Sequence, residues 1–245
     1  ELFEDISDEK ADETLSLISL FLTNFEAKYS RFKPDSIIST INRTKKLERP
    51  DKTTIELLCL GQQLYQDTDG IFNILVGEHL LARGYDAEYS FSPTAEPLTI
   101  PSPLEALNIT DSHITLSTGQ IDLGGYGKGF LIDRLADYLH ELGFHYFLIN
   151  GGGDMYATSD QGQPVTIYLE HPTNPVTYIA ETSLKDQGFA ASSAHKRRWR
   201  VGGQEYSHIV DTKTELATTV GTRGDNATPH QNPDALGIYI KARSA

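Results

Sequence analysis

The sequence predicts an α+β fold, with helices first and strands of mixed or antiparallel sheets later. Three observations lead to this class. Apolar residues recur at three- and four-residue spacing in the early part of the chain, and two-residue alternation begins beyond Asp154. A single helix–strand–helix–strand unit lies between these regions, whereas a doubly wound sheet would repeat that alternation.

Two helices are predicted in the N-terminal part of the chain. The first covers residues 8–32, with Asp8 as its N-cap and Lys33-Pro34 as its end. The second covers residues 53–66 and stops before Asp67-Thr68-Asp69-Gly70. The apolar residues with helical spacing in the first helix are Leu15, Ile18, Leu22, Phe25, Tyr29 and Phe32. A Ser-, Pro- and Thr-rich segment over 86–101 predicts a loop.

The remaining elements are one long helix and several short strands. The helix covers about residues 128–142 and ends at Gly143. The predicted strands are 114–116, 121–123, 147–150, 165–169 and 176–180, followed by a hairpin with arms 198–201 and 206–210. From Thr212 to Pro233 there is almost no apolar periodicity, which predicts a loosely ordered segment, and only Ile238-Tyr239-Ile240 resembles a strand. A change of reading frame after about Thr214 would explain this composition.

The composition argues against two classes of protein. The 21 Lys and Arg residues and 34 Asp and Glu residues give a formal net charge of −13 at pH 7. Such a chain repels polyanions, which argues against a protein that binds nucleic acid regardless of its sequence. No apolar run reaches the roughly 18–20 residues of a membrane span. The single cysteine, Cys59, allows no disulfide within the chain.

The glycine-rich segment 124–129 is the strongest local signal of a ligand site. It leads from Asp122, at the end of a predicted strand, into a helix start, where free N–H groups and the helix dipole attract anions. Lys128 adds a cation in the first turn. A Walker loop would need Ser or Thr in place of Gly129, and a dinucleotide fingerprint would need Gly in place of Phe130. A tight turn with a solvated lysine is the structural alternative, but the combination of glycines, Asp122 and Lys128 favours a ligand loop.

A second glycine-rich segment, Asn150-Gly151-Gly152-Gly153-Asp154, follows the next predicted strand. Each glycine weakens a regular element by about 0.5–1 kcal/mol relative to alanine, so these positions have a specific use. One interpretation is the close approach of a flat ligand or another backbone segment. The other is a β-bulge or a crowded crossing, and both remain open.

His208 is a candidate general base within Ser207-His208-Ile209-Val210-Asp211, because histidine has an ordinary pKa of about 6.5. A single histidine on a strand is more often structural. The histidines lack the HExxH spacing and the chain has no cysteine cluster, which argues against zinc. The available oxygen ligands suit Mg²⁺ or Ca²⁺ instead.

Several motifs, in order over roughly residues 25–211, resemble the FAD:protein FMN transferase (ApbE-like) family. These motifs are Tyr29-Ser30-Arg31-Phe32 with Ser36 and Ile41-Asn42, Asp69-Gly70-Ile71-Phe72-Asn73, Arg83-Gly84-Tyr85-Asp86, residues 121–129 with Asp133, Ile149-Asn150-Gly151-Gly152-Gly153-Asp154, and residues 207–211. Each is weak alone, but their common order is specific. The resemblance implies an α+β fold with mixed and antiparallel sheets, flanking helices and an FAD cleft between two lobes.

The resemblance also implies an activity and a set of site residues. The family uses Mg²⁺ to cleave the diphosphate of FAD, releases AMP and esterifies FMN onto a Ser or Thr hydroxyl of an acceptor flavoprotein. Among the implied contacts, Asp122 and Lys128 hold the polar and phosphate portions of FAD. The full set of implied FAD contacts is Phe32, Arg83, Gly84, Tyr85, Asp122, Lys128 and Ile209. His208 is the implied base for the acceptor hydroxyl, and Gly125, through its carbonyl, is an implied metal ligand.

Both ends of the chain depart from the family pattern. The family has a Met-Gly-Thr strand before the first helix, whereas this chain starts at Glu1, which favours a processed or trimmed chain. The resemblance implies an extracytoplasmic or membrane-anchored location in the cell envelope, through a removed N-terminal segment. Near the C-terminus, the family's metal-binding Ala-Asp-Ala-Leu-Ala-Thr is reduced to Asp234-Ala235-Leu236, and Ile238 replaces the Thr. Asp234 is therefore either a remnant metal ligand or a coincidence.

These departures leave more than one functional hypothesis. The leading one is a Mg²⁺-dependent flavin transferase that acts on FAD and an acceptor flavoprotein. The alternatives are an FAD-binding protein that does not transfer FMN and an FAD diphosphatase that releases FMN and AMP. The predicted organisation is one transferase domain with two lobes over 1–211, followed by an atypical segment over 212–245.

Overall fold

Helices and antiparallel strands are the main elements of the structure. The computed structural model describes residues 1–86, 90–93, 99–159, 162–171, 174, 176–192, 198–201, 204–207, 210, 212 and 237–242. The helices are α1 (Asp8–Tyr29), α2 (Ile37–Thr44), α3 (Lys52–Asp67), α4 (Gly77–Ala82), α5 (Pro103–Ala106) and α6 (Gly127–Glu141). The strands are β1 (Lys46–Glu48), β2 (Leu107–Ile109), β3 (His113–Leu116), β4 (Tyr146–Asn150), β5 (Met155–Ser159), β6 (Val165–Glu170), β7 (Tyr178–Leu184), β8 (Gln187–Ser192), β9 (Arg198–Val201), β10 (Gln204–Ser207) and β11 (Gly237–Ala242).

The described strands pair into several small sheets. Their orders are β1-β3-β2, β11-β8-β5-β4, β6-β7 and β10-β9, with antiparallel neighbours throughout. Long connections with helices separate the first sheet from the later strands. This arrangement confirms the predicted α+β class.

The chain divides into two compact units. Unit A comprises residues 23–127 and 196–219, and unit B comprises residues 1–22, 128–195 and 220–245. Both units are therefore built from segments that are discontinuous in sequence.

Unit A has its core between helices α2 and α3 and the sheet β1-β3-β2. Ser36 caps α2 by accepting a 3.0 Å hydrogen bond from the Ser39 N–H, and Asp51 caps α3 through the Thr54 N–H at 3.1 Å. The fully buried apolar side chains of this unit are Ile38, Ile41, Leu57, Leu58, Ile74, Ile114 and Ile121. This apolar core stabilises the segment that leads to Asp122.

Unit B has its main core around helix α6. Its buried apolar cluster consists of Ile132, Leu135, Ala136, Leu139, Phe144, Phe147 and Tyr156. The N-terminal residues run antiparallel to β4, where the Phe3 N–H donates to the Tyr146 carbonyl at 3.0 Å. Strand β11 pairs with β8, with Gly237 opposite Ser192, so the strand-like residues Ile238–Ile240 lie in a sheet.

Most of the predicted elements are confirmed, with shifts at their ends. Helix α3 and strands β3, β4 and β6 lie within one or two residues of their predicted bounds. Helix α1 ends at Tyr29 rather than at Phe32. Pro34 disfavours a helical Lys33, and the Lys33 N–H instead closes a turn on the Ser30 carbonyl at 3.1 Å.

The predicted strand at Ile121–Leu123 is wrong, because this segment belongs to none of the sheets formed by the described strands. Next to it lies only a single parallel bridge between Val76 and Gln120, and the Asp122 N–H donates to the Ile74 carbonyl at 2.8 Å. Asn42 supplies the other contacts: its Oδ1 accepts from the Ile121 N–H at 2.7 Å, and its Nδ2 donates to the Ile121 carbonyl at 3.0 Å. Ile121 is buried as a strand residue would be, but a helix side chain satisfies its backbone.

Two predicted strands start or end elsewhere. Strand β7 begins at Tyr178 instead of Val176. The second hairpin arm already begins at Gln204, as β10 (Gln204–Ser207), and residues 208 and 209 of the predicted arm lie outside the described residues. Several short elements were missed, namely α2, α4, α5, β1, β2, β5 and β8. The helices of one or two turns and the three-residue strands contain too few positions to show a period. Strands β5 and β8 are longer, but their sequences Met-Tyr-Ala-Thr-Ser and Gln-Gly-Phe-Ala-Ala-Ser lack a strict alternation of apolar and polar residues.

Candidate functional site

Asp122 is the most highly connected of the predicted site residues in unit A. Its side chain is only 6% exposed, and its backbone N–H donates to the Ile74 carbonyl at 2.8 Å. One carboxylate oxygen accepts from the Gly124 N–H at 2.6 Å, and the other lies 2.5 Å from Nε of Arg31. A buried carboxylate needs such partners, and a buried pair is costly to break.

The same arginine extends this arrangement to Tyr85 and Phe32. Its Nη2 donates to the Tyr85 carbonyl at 3.1 Å, and its Cζ lies 4.2 Å from the Phe32 ring centroid. Phe32 remains 42% exposed, so much of its ring is available to a ligand. Three predicted FAD contacts, Phe32, Tyr85 and Asp122, are thus brought together by Arg31.

Tyr85 is presented by a tight loop after helix α4. Gly84 has a φ of +83°, and a Cβ atom there would lie 2.3 Å from the Ser92 nitrogen. The Gly84 carbonyl accepts from the Phe91 N–H at 2.9 Å, which closes the loop. Only glycine fits this position, because both the conformation and the space exclude a side chain. Arg83, directly before it, is 4% exposed.

The glycine-rich segment at 124–127 packs tightly against its own unit. A Cβ at Gly125 would lie 2.8 Å from Cε2 of Phe72, and the Tyr126 hydroxyl donates to the Leu57 carbonyl at 2.9 Å. Burial raises the pKa of Tyr126 strongly, and the nearby Asp122 carboxylate raises it further. The phenol therefore stays protonated and acts as a structural donor.

The predicted role of free N–H groups in this segment needs correction. The Gly124 N–H is taken by Asp122, and the N–H groups of Tyr126 and Gly127 both donate to the Leu123 carbonyl. These three donors are satisfied locally, because the chain turns tightly into helix α6. The Lys128 side chain is a further predicted anion contact of the segment.

In unit B, Lys128 is paired with a residue of the second glycine-rich segment. Its Nζ lies 2.5 Å from Oδ2 of Asp154, while its side chain is 56% exposed. An ammonium group has three N–H donors, so one carboxylate contact leaves donors for a phosphate. Asp154 can therefore orient the Lys128 ammonium group and still leave N–H donors of this group for a ligand.

The geometry of the second glycine-rich segment is that of a tight turn. Oδ1 of Asn150 accepts from the N–H groups of Gly152 and Gly153 at 3.0 Å each. Gly152 and Gly153 have φ values of +82° and +106°, and a Cβ at either would meet nothing within 4 Å. Gly151 instead lies close to helix α6, since its Cβ would be 3.0 Å from Cδ1 of Ile132. A positive φ explains two of the three glycines and helix packing explains the third.

The remaining predicted site residues, His208, Ile209 and Asp234, lie outside the described part of the chain. Thr212 lies just beyond the His208 motif and belongs to unit A. Its hydroxyl is 2.6 Å from the Gly70 carbonyl and 2.9 Å from the Ile71 carbonyl. This contact places Thr212 beside the loop that carries Phe72.

The described residues do not form a Mg²⁺ site by themselves. No group of three or more His, Cys, Asp or Glu side chains suited to a metal occurs among them. Both oxygens of Asp122 are already engaged by Arg31 and Gly124. Of the two implied ligands, only Gly125 is described, and one carbonyl is not a site.

Sequence reasoning missed Arg31, Asp154 and Thr212 as parts of the site. Arg31 and Asp154 lie in motifs whose other residues were assigned to the site or to its glycine-rich segments. Their position next to those residues could have indicated that they contribute to the site. Thr212 carried no signal, because its importance depends on a contact with residues far away in the chain.

Comparisons with known proteins give a consistent set of matches. The family model described as "ApbE family" matches residues 11–223. A FAD:protein FMN transferase from Haemophilus influenzae is 25% identical over 228 residues, which cover 83% of this chain and 64% of that protein. One from Salmonella typhimurium is 24% identical and covers 76% of this chain and 57% of that protein. The chain thus spans less than two thirds of these relatives' lengths.

Solved structures show the same fold. The ApbE protein from Thermotoga maritima superposes with a TM-score of 0.74 at 22% identity, covering 86% of this chain and 71% of that one. The apo flavinyl transferase ApbE from Pseudomonas stutzeri gives a TM-score of 0.70 at 20% identity, covering 85% and 68%. The predicted ApbE-like fold is therefore confirmed. Within the described residues, no helix is both long and apolar enough to cross a membrane.

Proposed function

The chain belongs to the ApbE family, and from this premise we propose that it is an FAD:protein FMN transferase. The relatives named above carry that activity in their names. The observation that supports the proposal most is the arrangement around Arg31, which joins Phe32, Tyr85 and Asp122 in one unit. The family resemblance assigns those three residues to FAD, and it does so without reference to their contacts.

The proposed reaction is a displacement at the phosphorus on the FMN side of the FAD diphosphate. The acceptor Ser or Thr oxygen forms a bond to this phosphorus, and the bond to the bridging oxygen breaks, so AMP leaves with that oxygen. The hydroxyl proton passes to a base, for which His208 is the candidate. Such a reaction depends mainly on positioning and on compensation of negative charge.

Within this reaction, the described residues bind and orient FAD. Lys128 offers a cation for the diphosphate, and Asp154 fixes the direction of that cation. The Arg31–Asp122 pair and Tyr85 hold the loop on which the flavin part of FAD rests. Phe32, with much of its ring exposed, supplies an aromatic face that suits a flat flavin ring.

A requirement for Mg²⁺ is part of the proposal, and Gly125 and Asp234 are its candidate ligands. A divalent cation would compensate the negative charge of the diphosphate and of the AMP that leaves. The described residues lack a complete ligand set for this cation, so the roles proposed for them are to bind and orient FAD.

Transfer is tested by incubating the folded protein with FAD, Mg²⁺ and a flavin-free preparation of a flavoprotein that naturally carries FMN on a threonine. The proposal predicts AMP release together with flavin fluorescence on the denatured acceptor, and loss of both with excess EDTA. A matched acceptor whose threonine is changed to valine serves as the control.

Other outcomes of this assay identify the alternatives. AMP and free FMN formed equally well without acceptor would indicate an FAD diphosphatase. Saturable FAD binding with neither product, and with no effect of Mg²⁺, would indicate a binding protein. Either result contradicts transfer by this chain.

A further inference from the structure

Arg31 contacts several FAD-site residues although it is not among the residues assigned to FAD. Its side chain is 11% exposed. Nε faces the Asp122 carboxylate at 2.5 Å, Nη2 donates to the Tyr85 carbonyl at 3.1 Å, and the guanidinium carbon lies 4.2 Å above the Phe32 ring. The Tyr85 ring is also close, with its centroid 5.9 Å from the same carbon.

These contacts require the shape of a guanidinium. Two of its nitrogens point to two acceptors in different segments, while its central carbon lies over an aromatic ring. A lysine carries the same charge at a single nitrogen, so it cannot hold Asp122 and Tyr85 in the same way and also lie over Phe32. The geometry therefore depends on arginine and not merely on a positive charge.

The charges of this cluster indicate which part of FAD it serves. Arg31 and Asp122 neutralise one another, so the cluster presents no net charge to a ligand. A neutral, hydrogen-bonding and aromatic surface suits the flavin ring and its sugar-alcohol chain rather than phosphate. In unit B, Lys128 is more than half exposed and suits the diphosphate.

We propose that Arg31 is a positioning residue for the flavin half of FAD. It fixes the Tyr85 loop, the Asp122 carboxylate and the Phe32 ring relative to one another, and it acts through them rather than on the reacting phosphorus. This inference rests on the proposed function, since it assumes that FAD is the ligand.

The test compares binding of the two halves of FAD. The wild-type protein and the variants Arg31→Lys and Arg43→Lys are titrated calorimetrically with FMN and, separately, with ADP. Arg43 is the matched control, because its Nη1 donates to the Pro34 carbonyl at 3.1 Å in an exposed position of the same unit. Thermal unfolding of each variant establishes that it is folded, and Arg31→Gln replaces Arg31→Lys should the latter not fold.

The proposal predicts that Arg31→Lys weakens FMN binding by at least about tenfold, as expected for lost hydrogen bonds between charged groups, and leaves ADP binding within about twofold of wild type. Arg43→Lys is expected to change neither. Unchanged FMN binding, or equal loss for FMN and ADP, would overturn the positioning role. If the folded wild-type protein binds neither FMN nor FAD, the proposed function itself fails.

Discussion

Replacing Asp122 with asparagine is expected to lower the free energy of unfolding by about 3 kcal/mol, since breaking a buried ion pair costs roughly 3–5 kcal/mol. The carboxylate is 6% exposed and its Arg31 partner 11% exposed. An asparagine amide has one acceptor oxygen, which cannot serve the Arg31 Nε–H and the Gly124 N–H as two carboxylate oxygens do. The guanidinium would keep its charge without a counter-ion. Urea unfolding followed by circular dichroism measures the change.

Asp51→Asn is the matched control for this experiment. Asp51 also pairs with a cation, Lys28, at 2.9 Å, and it also accepts a backbone hydrogen bond, from the Thr54 N–H. The difference is exposure, because the two side chains of this pair are 35% and 46% exposed. Asparagine is a good N-cap, and exposed pairs contribute about 0–1 kcal/mol. Similar losses for both variants would contradict the account of Asp122.

Replacing Gly84 with alanine is expected to weaken FAD binding by more than about tenfold and to destabilise the protein by about 1–3 kcal/mol. The backbone at Gly84 has a φ of +83°, and the added Cβ would lie 2.3 Å from the Ser92 nitrogen and 2.8 Å from the Phe91 carbonyl carbon. Both neighbours are backbone atoms, so the loop itself must move. The Tyr85 carbonyl that Arg31 holds would move with it. FAD titration and thermal unfolding measure the two effects.

Gly129→Ala provides the comparison for Gly84→Ala. Gly129 lies in the first turn of helix α6, where an added Cβ would meet nothing within 4 Å. Alanine is favoured over glycine in helices by about 1 kcal/mol, so this variant should be as stable as wild type or slightly more stable. A loss of stability in Gly129→Ala as large as in Gly84→Ala would show that the clash at the Tyr85 loop is not the cause of the destabilisation.

The sequence was most informative where the residue types of a motif are themselves required by a local backbone structure. The start of the long helix at about residue 128 could be predicted because helix ends have strong residue preferences, whereas Gly84 was assigned only through the family resemblance. The family resemblance then assigned Phe32, Tyr85 and Asp122 to one ligand. The structure shows that these residues share Arg31 as a partner.

Contacts between residues that are far apart in the chain could not be predicted from the sequence. The apolar alternation at Ile121–Leu123 predicted a strand, because nothing in one sequence reveals that Asn42 satisfies this backbone instead. Similarly, the glycine-rich segment predicted a cradle of free N–H groups, but Asp122 and the Leu123 carbonyl take three of them. The pairing of Lys128 with Asp154 depends on the turn at Asn150, which brings a second loop to the start of α6.

We expect the chain to bind FAD and Lys128 to contact its diphosphate. Calorimetric titration with FAD tests this expectation, using wild type, Lys128→Met and, as control, Lys52→Met. Lys52 is also a lysine in the first turn of a helix, and its side chain is 90% exposed. The account predicts saturable binding by wild type and Lys52→Met, and binding about tenfold to a hundredfold weaker in Lys128→Met, as expected for loss of a charged hydrogen bond. Absence of saturable FAD binding by the folded wild-type protein, or equal affinity of all three proteins, would contradict it.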